Sequence, residues 1–359
     1  MKICIISAGD FPHVYPYVNY FKSNHEVLFI RFTPSKKIKI NNDSDISVVP
    51  LKFGHRWSRL FYLHNIIKCR KIVKKFNPDI VYGLYMTSAG LLTALSGKYK
   101  KMVRACGSDV VNAKSKIPKK LLLKFVAFQM DSIHVVSKDQ KQILSSINIP
   151  EDKIFISNLG INMEGFSHKF KKSIQNGNIR MISIRRLEKI YNHETILEAM
   201  PLLKQNGVKI QLTFAGEGPL KNKLINLSKK LGLELDKEVK FIGHVENHII
   251  LEILMQHDIY LSASLYDGTS VSLMEAMNAG VFPIVSNIRA NQAWIQPGVN
   301  GLLHEVKNPQ DLANKITDYI KSKMMYADFQ IYNLNLIKNY CNRPVNMKKV
   351  EEKMFNTLS

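Results

Sequence analysis

The stretch Asp258–Ser286, DIYLSASLYDGTSVSLMEAMNAGVFPIVS, parses as strand, turn, helix, strand, and it sets a pattern that the rest of the chain repeats. Asp258–Ser264 is a short half-buried run, and Leu265–Ser270 is polar and turn-like. Val271–Ala279 carries apolar residues at helical spacing: Val271 with Met274, and Leu273 with Ala276 and Met277. Gly280 stands where a helix C-cap glycine belongs, and Val281–Val285 is a second buried strand.

Two acids bracket the turn, Asp267 and Glu275, with seven residues between them. With the helix starting near Ser270, Glu275 lies about one turn above the free N–H groups of that end. A helix N-terminus favours a nearby negative charge by roughly 0.3–1 kcal/mol at an exposed site. One face then offers donors to a phosphate and, slightly higher, a carboxylate to hydroxyls, as a reader of sugar nucleotides would. Taken alone, Glu275 reads as a surface acid on a core helix; the whole stretch is what favours the ligand.

Outward from this stretch the alternation continues. Strand Ile179–Ile184 leads to Arg185-Arg186-Leu187 and a helix around Thr195–Lys204. Strand Lys209–Ala215 leads to Gly216-Glu217-Gly218-Pro219 and a helix over Leu220–Leu231, and strand Val239–Ile242 leads to Gly243-His244 and a helix near Ile249–Gln256. Downstream come the turn Gln296–Gly301 and a helix from Pro309. The first half runs strand Lys2–Ser7, helix Tyr15–Ser23, strands Glu26–Arg31 and Ile46–Leu51, basic helix Arg59–Phe76, strand Asp79–Tyr85 and helix Thr87–Ser96. Strands Lys101–Ala105, Ile133–Val136 and Lys153–Ser157 complete it. Residues 166–178 are polar with no apolar period, the composition of a linker. The expected division is therefore a domain over 1–165, the linker, a second domain over 179–335 and a helical tail over 336–359 that packs back on the first domain. Strands alternating with helices predict an α/β protein of two Rossmann-like domains with parallel sheets, facing a cleft.

In such sheets ligands sit at the carboxyl ends of strands. Two first-half loops meet that condition: Gly9-Asp10, within SAGDFPH, and Cys106-Gly107-Ser108-Asp109. Gly9 is the only glycine in the first loop, so it is no dinucleotide fingerprint. Asp43-Ser44-Asp45 has the DxD form of a metal site, but an Asn-rich turn accounts for it better.

Composition narrows the partners. The net charge is +22, and residues 1–165 hold 26 Lys and Arg against 11 Asp and Glu, so the excess sits mainly in the first half. Such a surface suits nucleic acid, anionic membrane or anionic substrates, and the lack of any nucleic-acid motif puts nucleic acid last. Cys4, Cys69, Cys106 and Cys341 form no CxxC or Cys/His pattern, which argues against disulfides and zinc and for reduced, intracellular thiols. No segment reads as a signal peptide or reaches membrane-spanning length. Lys114–Met130, KSKIPKKLLLKFVAFQM, fits two readings. One is a core helix with Lys120 and Lys124 reaching out to water; the other is an interfacial helix on anionic lipid.

The second half resembles glycosyltransferase family 4, the retaining GT-B sugar transferases, through Arg186-Leu187, FAGEGPL, VKFIGHV, the acid-x7-acid stretch ending MEAMNAG, and PGVNGLL, in that order. The first half resembles it more weakly, through VRACGSDV, IHVVS and SNLGIN. The resemblance implies roles. Arg186 would pair with the donor's phosphates, and Glu275 would hold the nucleotide's ribose hydroxyls. Asp267, where the family usually has Glu, would lie near the donor sugar. Gly216 belongs to the donor side, the backbone of Gly268-Thr269-Ser270-Val271 would serve sugar and phosphate, and Gly243-His244-Val245 would meet the base. Gly9, Asp10, Cys106 and Asp109 would lie on the acceptor side. Three departures stand out: Tyr191 where the family has a Lys, Cys106 where it often has His, and a first loop without paired glycines. Losing a cation at Tyr191 raises a CMP-activated acidic sugar as an alternative donor, while a UDP- or GDP-sugar stays favoured because Arg185 or Lys189 can substitute for the missing charge.

The resemblance thus implies a metal-independent transferase needing no cofactor, taking a nucleotide-sugar as donor and a glycan or lipid-linked acceptor, cytoplasmic or at the inner membrane face. A sugar-nucleotide epimerase on the same fold and a non-catalytic glycan-binding relative are the alternatives.

Overall fold

The computed structural model describes residues 1–8, 13–31, 47–50, 58–111, 117–163, 179–322 and 328–358. They form two compact units: 1–159 with 344–359, and 160–343.

Unit 1 runs β1 (Lys2–Ser7), α1 (Tyr15–Lys22), β2 (Glu26–Arg31), β3 (Ser47–Pro50), α2 (Ser58–Phe76), β4 (Ile80–Leu84), α3 (Ser88–Ala94), β5 (Lys100–Arg104), α4 (Ser108–Val111), α5 (Ile117–Phe128), β6 (Ser132–Val135), α6 (Lys138–Ser145) and β7 (Ile154–Ile156). The seven strands make one parallel sheet in the order β3-β2-β1-β4-β5-β6-β7. Central strands of a parallel sheet are covered on both faces, so they read as unbroken apolar runs. β1 (KICIIS) and β4 (IVYGL) do so, and from Ile3 and Ile80 onward every residue of these strands is buried.

Unit 2 runs β8 (Ile179–Ile184), α7 (His193–Gln205), β9 (Ile210–Ala215), α8 (Lys221–Lys230), β10 (Val239–Gly243), α9 (Ile250–Met255), β11 (Ile259–Ser262), α10 (Val271–Asn278), β12 (Phe282–Ser286), α11 (Arg289–Gln292), β13 (Leu302–His304), α12 (Pro309–Lys321) and α13 (Phe329–Tyr340). Its six strands are again parallel, in the order β10-β9-β8-β11-β12-β13. Both sheets reverse strand order beside their first strand, and the fold is GT-B, two Rossmann-like units in one chain.

α14 (Arg343–Leu358) returns to unit 1 and buries Asn346, Met347, Val350 and Met354. Glu351 takes hydrogen bonds from Tyr20 Oη (2.9 Å) and His25 Nε2 (2.6 Å), and Asn346 Nδ2 donates to Asn158 Oδ1 (3.0 Å). The linker over 166–178, Gly9, Asp10, and Asp43 with Asp45 lie outside the described residues. The two units divide in sequence between Leu159 and Gly160. Gly160 is held in unit 2 because its φ of +64° and a carbonyl of Cys341, 2.3 Å from where a Cβ would sit, leave room for glycine alone.

α5 divides the two readings of its sequence between its faces. Leu123, Val126 and Ala127 are buried in a cluster with Met130, whereas Ile117 (77% exposed), Leu121, Phe125 and Phe128 (80%) stand in solvent. The turn after Gln296 also hides a strand: β13 follows it, because Asn300 is fully buried and ties Gln296 N (2.7 Å), Trp294 O (2.9 Å) and Asn333 Oδ1 (2.8 Å) together. Among the described residues no helix is long and apolar enough to cross a membrane.

Candidate functional site

The site in unit 2 grows from the carboxyl ends of β8, β9, β10 and β11. α10 begins where the sequence predicts. Ser270 is its N-cap, extended in backbone, with Oγ accepting from Leu273 N (3.2 Å). Tyr260 Oη, from β11, lies 3.0 Å from Ser272 Oγ and fixes the first turn to the sheet. The loop before the helix is tied down by Leu265 N donating to Ile190 O (2.8 Å), which brings the segment carrying Tyr191 beside Asp267.

The central side chain is Arg185. Its Nη2 donates to both Asp267 Oδ2 and Ser270 Oγ, and its guanidinium lies over the Tyr191 ring, 5.1 Å from the centroid. Burial opposes its charge, but Asp267 outweighs that and holds the guanidinium ionised more firmly than usual. Asp267 Oδ1 accepts from Gly268 N (2.8 Å), so both carboxyl oxygens are engaged. Tyr191, half-buried, has its phenol pushed up by burial, against the pull of Arg185. Arg186, the expected phosphate partner, stands exposed beside Arg185: its side chain is 63% exposed and Nη2 pairs with Glu188 Oε1 (2.8 Å). The Arg186 carbonyl faces inward and accepts from His193 Nε2 (3.0 Å), and burial lowers the His193 pKa to about 4.

Gly216 and Gly218 are required by backbone contact. A Cβ at Gly216 would fall 2.1 Å from the Arg185 carbonyl oxygen, and one at Gly218 would fall 2.4 Å from that of Leu187. The glycine turn therefore braces the segment that carries Arg185. Gly216 N donates to Gly243 O (2.7 Å), extending the brace to the end of β10, where His244 is exposed and Val245 is buried. Thr269 and Val271 flank Ser270 at the helix start.

Glu275 stands one turn into α10. Among the described residues its carboxyl has no hydrogen-bond partner, and burial raises its pKa to about 7 against the opposing charges of Arg343 and Arg185. Arg343 was invisible to sequence spacing. It reaches this region because Arg343 N donates to Ile161 O (3.1 Å) and its Nη2 to Gly160 O (3.2 Å). The arrangement offers two inward cations, a helix N-terminus and a carboxyl free to accept hydroxyls.

Unit 1 carries a second polar cluster at the carboxyl ends of β4 and β5. Asp109 is buried, and its carboxyl accepts from Met86 N (2.8 Å), Gly107 N (2.9 Å) and Cys106 N (3.0 Å). Its carboxylate organises the loop. Cys106 is half-buried and receives Arg104 Nη1 at its Sγ (3.1 Å).

A family model for "Glycosyl transferases group 1" matches residues 166–335, and one for "Glycosyl transferase 4-like" matches residues 2–140. Among curated relatives, an uncharacterized glycosyltransferase of Methanocaldococcus jannaschii is 28% identical over 218 residues, 57% of this chain and 55% of that protein. The amylovoran biosynthesis glycosyltransferase AmsK of Erwinia amylovora is 29% identical over 188 residues, 50% of this chain and 44% of that protein. The chain thus spans about half the length of the curated relatives it matches. Among solved structures, Anabaena HepE in complex with UDP superposes with a TM-score of 0.79 at 13% identity, over 99% of this chain and 100% of that one.

Proposed function

Because the chain belongs to the group 1, family 4-like glycosyltransferases, we propose that it moves a sugar from a nucleotide-sugar donor to a hydroxyl of a glycan or lipid-linked acceptor, in surface polysaccharide assembly. The observation that carries this reading is the pairing, on one short helix, of an anion-binding N-terminus with the unpartnered carboxyl of Glu275. Glu275 accepts the ribose hydroxyls. Arg185, the N–H groups at the start of α10 and the exposed Arg186 hold the departing phosphate. Tyr191 leaves no lysine beside them, and Arg185, laid over its ring, takes that charge. With both oxygens engaged, Asp267 acts by aiming Arg185. Rate enhancement then comes from positioning and from stabilising the leaving group, with these cations in place of a metal ion and with retention at the transferred carbon.

A uridine nucleotide is the first donor to try, since the HepE fold neighbour holds UDP. The exposed apolar stripe of α5, with Lys119, Lys120 and Lys124 on the same helix, supports docking at an anionic membrane face, where a lipid-linked acceptor resides. Flotation with anionic but not zwitterionic vesicles, lost in a Leu121→Ser/Phe128→Ser variant, is the expected result there.

The donor reading is tested by thermal shift with UDP, GDP, ADP and CMP and their sugars, on wild type and Glu275→Ala. A ligand at a hundredfold excess over its Kd raises stability by about 2.7 kcal/mol. Stabilisation of wild type alone by one nucleotide upholds the reading, and no response to any of them removes it.

A further inference from the structure

Arg104, the last residue of β5, is 5% exposed, so its guanidinium is a cation inside the protein. Among the described residues its direct partners are neutral groups. Nη1 donates to Cys106 Sγ (3.1 Å), and the guanidinium carbon lies 4.9 Å from the centre of the Tyr17 ring. Nε has no hydrogen-bond partner, and among the described residues no carboxylate lies within ion-pair distance. The nearby acid, Asp109, already accepts three backbone N–H groups. The Cys106 thiol does not supply a negative charge, because burial, partly offset by Arg104, raises its pKa to about 12. His13 is held neutral, its pKa lowered to about 3 by burial and by the charge of Arg104.

Arg185 in unit 2 shows what this chain does with a buried guanidinium that needs an internal counter-charge: it supplies Asp267. A buried cation without such a partner is costly, and it persists where an anion arrives to neutralise it. The surroundings fit a binding site. Arg104 ends a strand at the carboxyl edge of a parallel sheet, and half-buried Cys106, His13 and Tyr85 stand beside it. Tyr85 has a φ of +95°, a strained backbone for an aromatic residue, and that conformation is held while its Oη meets His13 Nε2 at 2.7 Å.

We propose that unit 1 recognises its acceptor through an oxyanion of that acceptor, a carboxylate or a phosphate, seated on the Arg104 guanidinium beside Cys106. This rests on the transferase reading only for the word acceptor; the anion site stands on the geometry of unit 1. A planar guanidinium matches two oxygens of either group. The neutral thiol at Cys106 adds no competing charge.

The test follows the Arg104 Nε–H resonance in the ¹³C,¹⁵N-labelled full chain, assigned by through-bond correlation from its backbone and checked by its disappearance in Arg104→Lys. Inorganic phosphate and glucuronate are titrated separately, against sodium chloride at equal ionic strength and against glucose. A saturable shift with phosphate, with glucuronate or with both, absent with chloride and glucose, is the expected result. Phosphate alone points to a phosphorylated carrier, and glucuronate alone points to an acidic sugar. Read by calorimetry with the same anion, binding should weaken at least about tenfold in Arg104→Lys, which keeps the charge and loses the fork. No shift with either anion, a shift equal to that of chloride, or unchanged affinity in Arg104→Lys overturns the proposal. If Arg104→Lys does not fold, the wild-type titration decides alone. UDP binding on the same samples reports on unit 2, so failure of the donor reading and failure of this one are seen separately.

Discussion

Asp109 and Glu275 are both acids pressed into the protein beyond the carboxyl end of a parallel strand, yet they do opposite things. Asp109 is saturated: three backbone N–H groups from two loops converge on it. Burial raises its pKa and those bonds pull it back. Among the described residues Glu275 has no hydrogen bond to offset its burial, and its pKa stands at about 7. A saturated acid builds the protein; an unsatisfied one waits for a ligand. The contrast also separates stability from function, because removing each should move a different quantity.

The largest effect falls on Asp109. Asp109→Ala strands three buried donors and should lower unfolding stability by about 4 kcal/mol, read from denaturant midpoints, while the nucleotide still binds. If nucleotide binding fails in a variant that remains folded, the comparison breaks. Next, Glu275→Gln should weaken nucleotide binding about a hundredfold by calorimetry, close to 3 kcal/mol, without loss of fold.

The same acid should give stability a pH dependence of up to roughly 3 kcal/mol. Between its ordinary value of 4.5 and about 7, the unfolded chain has released this proton and the folded chain keeps it. Folding is therefore weakened as pH rises through that window, and the full penalty stands above about 7. Glu275→Gln should remove this slope and make the variant the more stable protein under alkaline conditions, as paired melts would show. Ligand binding runs the other way: hydroxyls donate to a carboxylate, so nucleotide affinity of the wild type should climb through the same range. Smaller again, Ser270→Ala should cost about 1 kcal/mol through the lost cap. Arg186→Ala should change stability by less than about 0.5 kcal/mol, because its ion pair with Glu188 lies in solvent.

Much of the fold was legible because parallel strands and their helices differ in period and are punctuated by glycine and polar turns. β1, β2 and β8 begin and end where the pattern says. β13 was not, since three residues, Leu302–His304, are too few to show a period and only the burial of Asn300 reveals the turn that places them. Within the site, Asp267, Ser270 and Glu275 could be found together because a single helix start sets their spacing. Arg185 and Arg186 could not be told apart, because one step of backbone phase decides which is buried. Arg343 approaches Glu275 from the far end of the sequence through backbone hydrogen bonds at Gly160 and Ile161, which no local pattern encodes. The contacts of Arg104 with the Cys106 thiol and the Tyr17 ring are likewise a fact of tertiary packing.

The return of α14 to unit 1 has a consequence for how the protein is made. On the ribosome, residues 160–343 emerge between the two parts of unit 1, so unit 2 has its whole sequence before unit 1 does. His25 and Tyr20 wait through most of synthesis for Glu351. A stalled or clipped nascent chain would carry a finished second unit on an open first one. Chaperone demand should therefore concentrate on the part of the protein translated earliest.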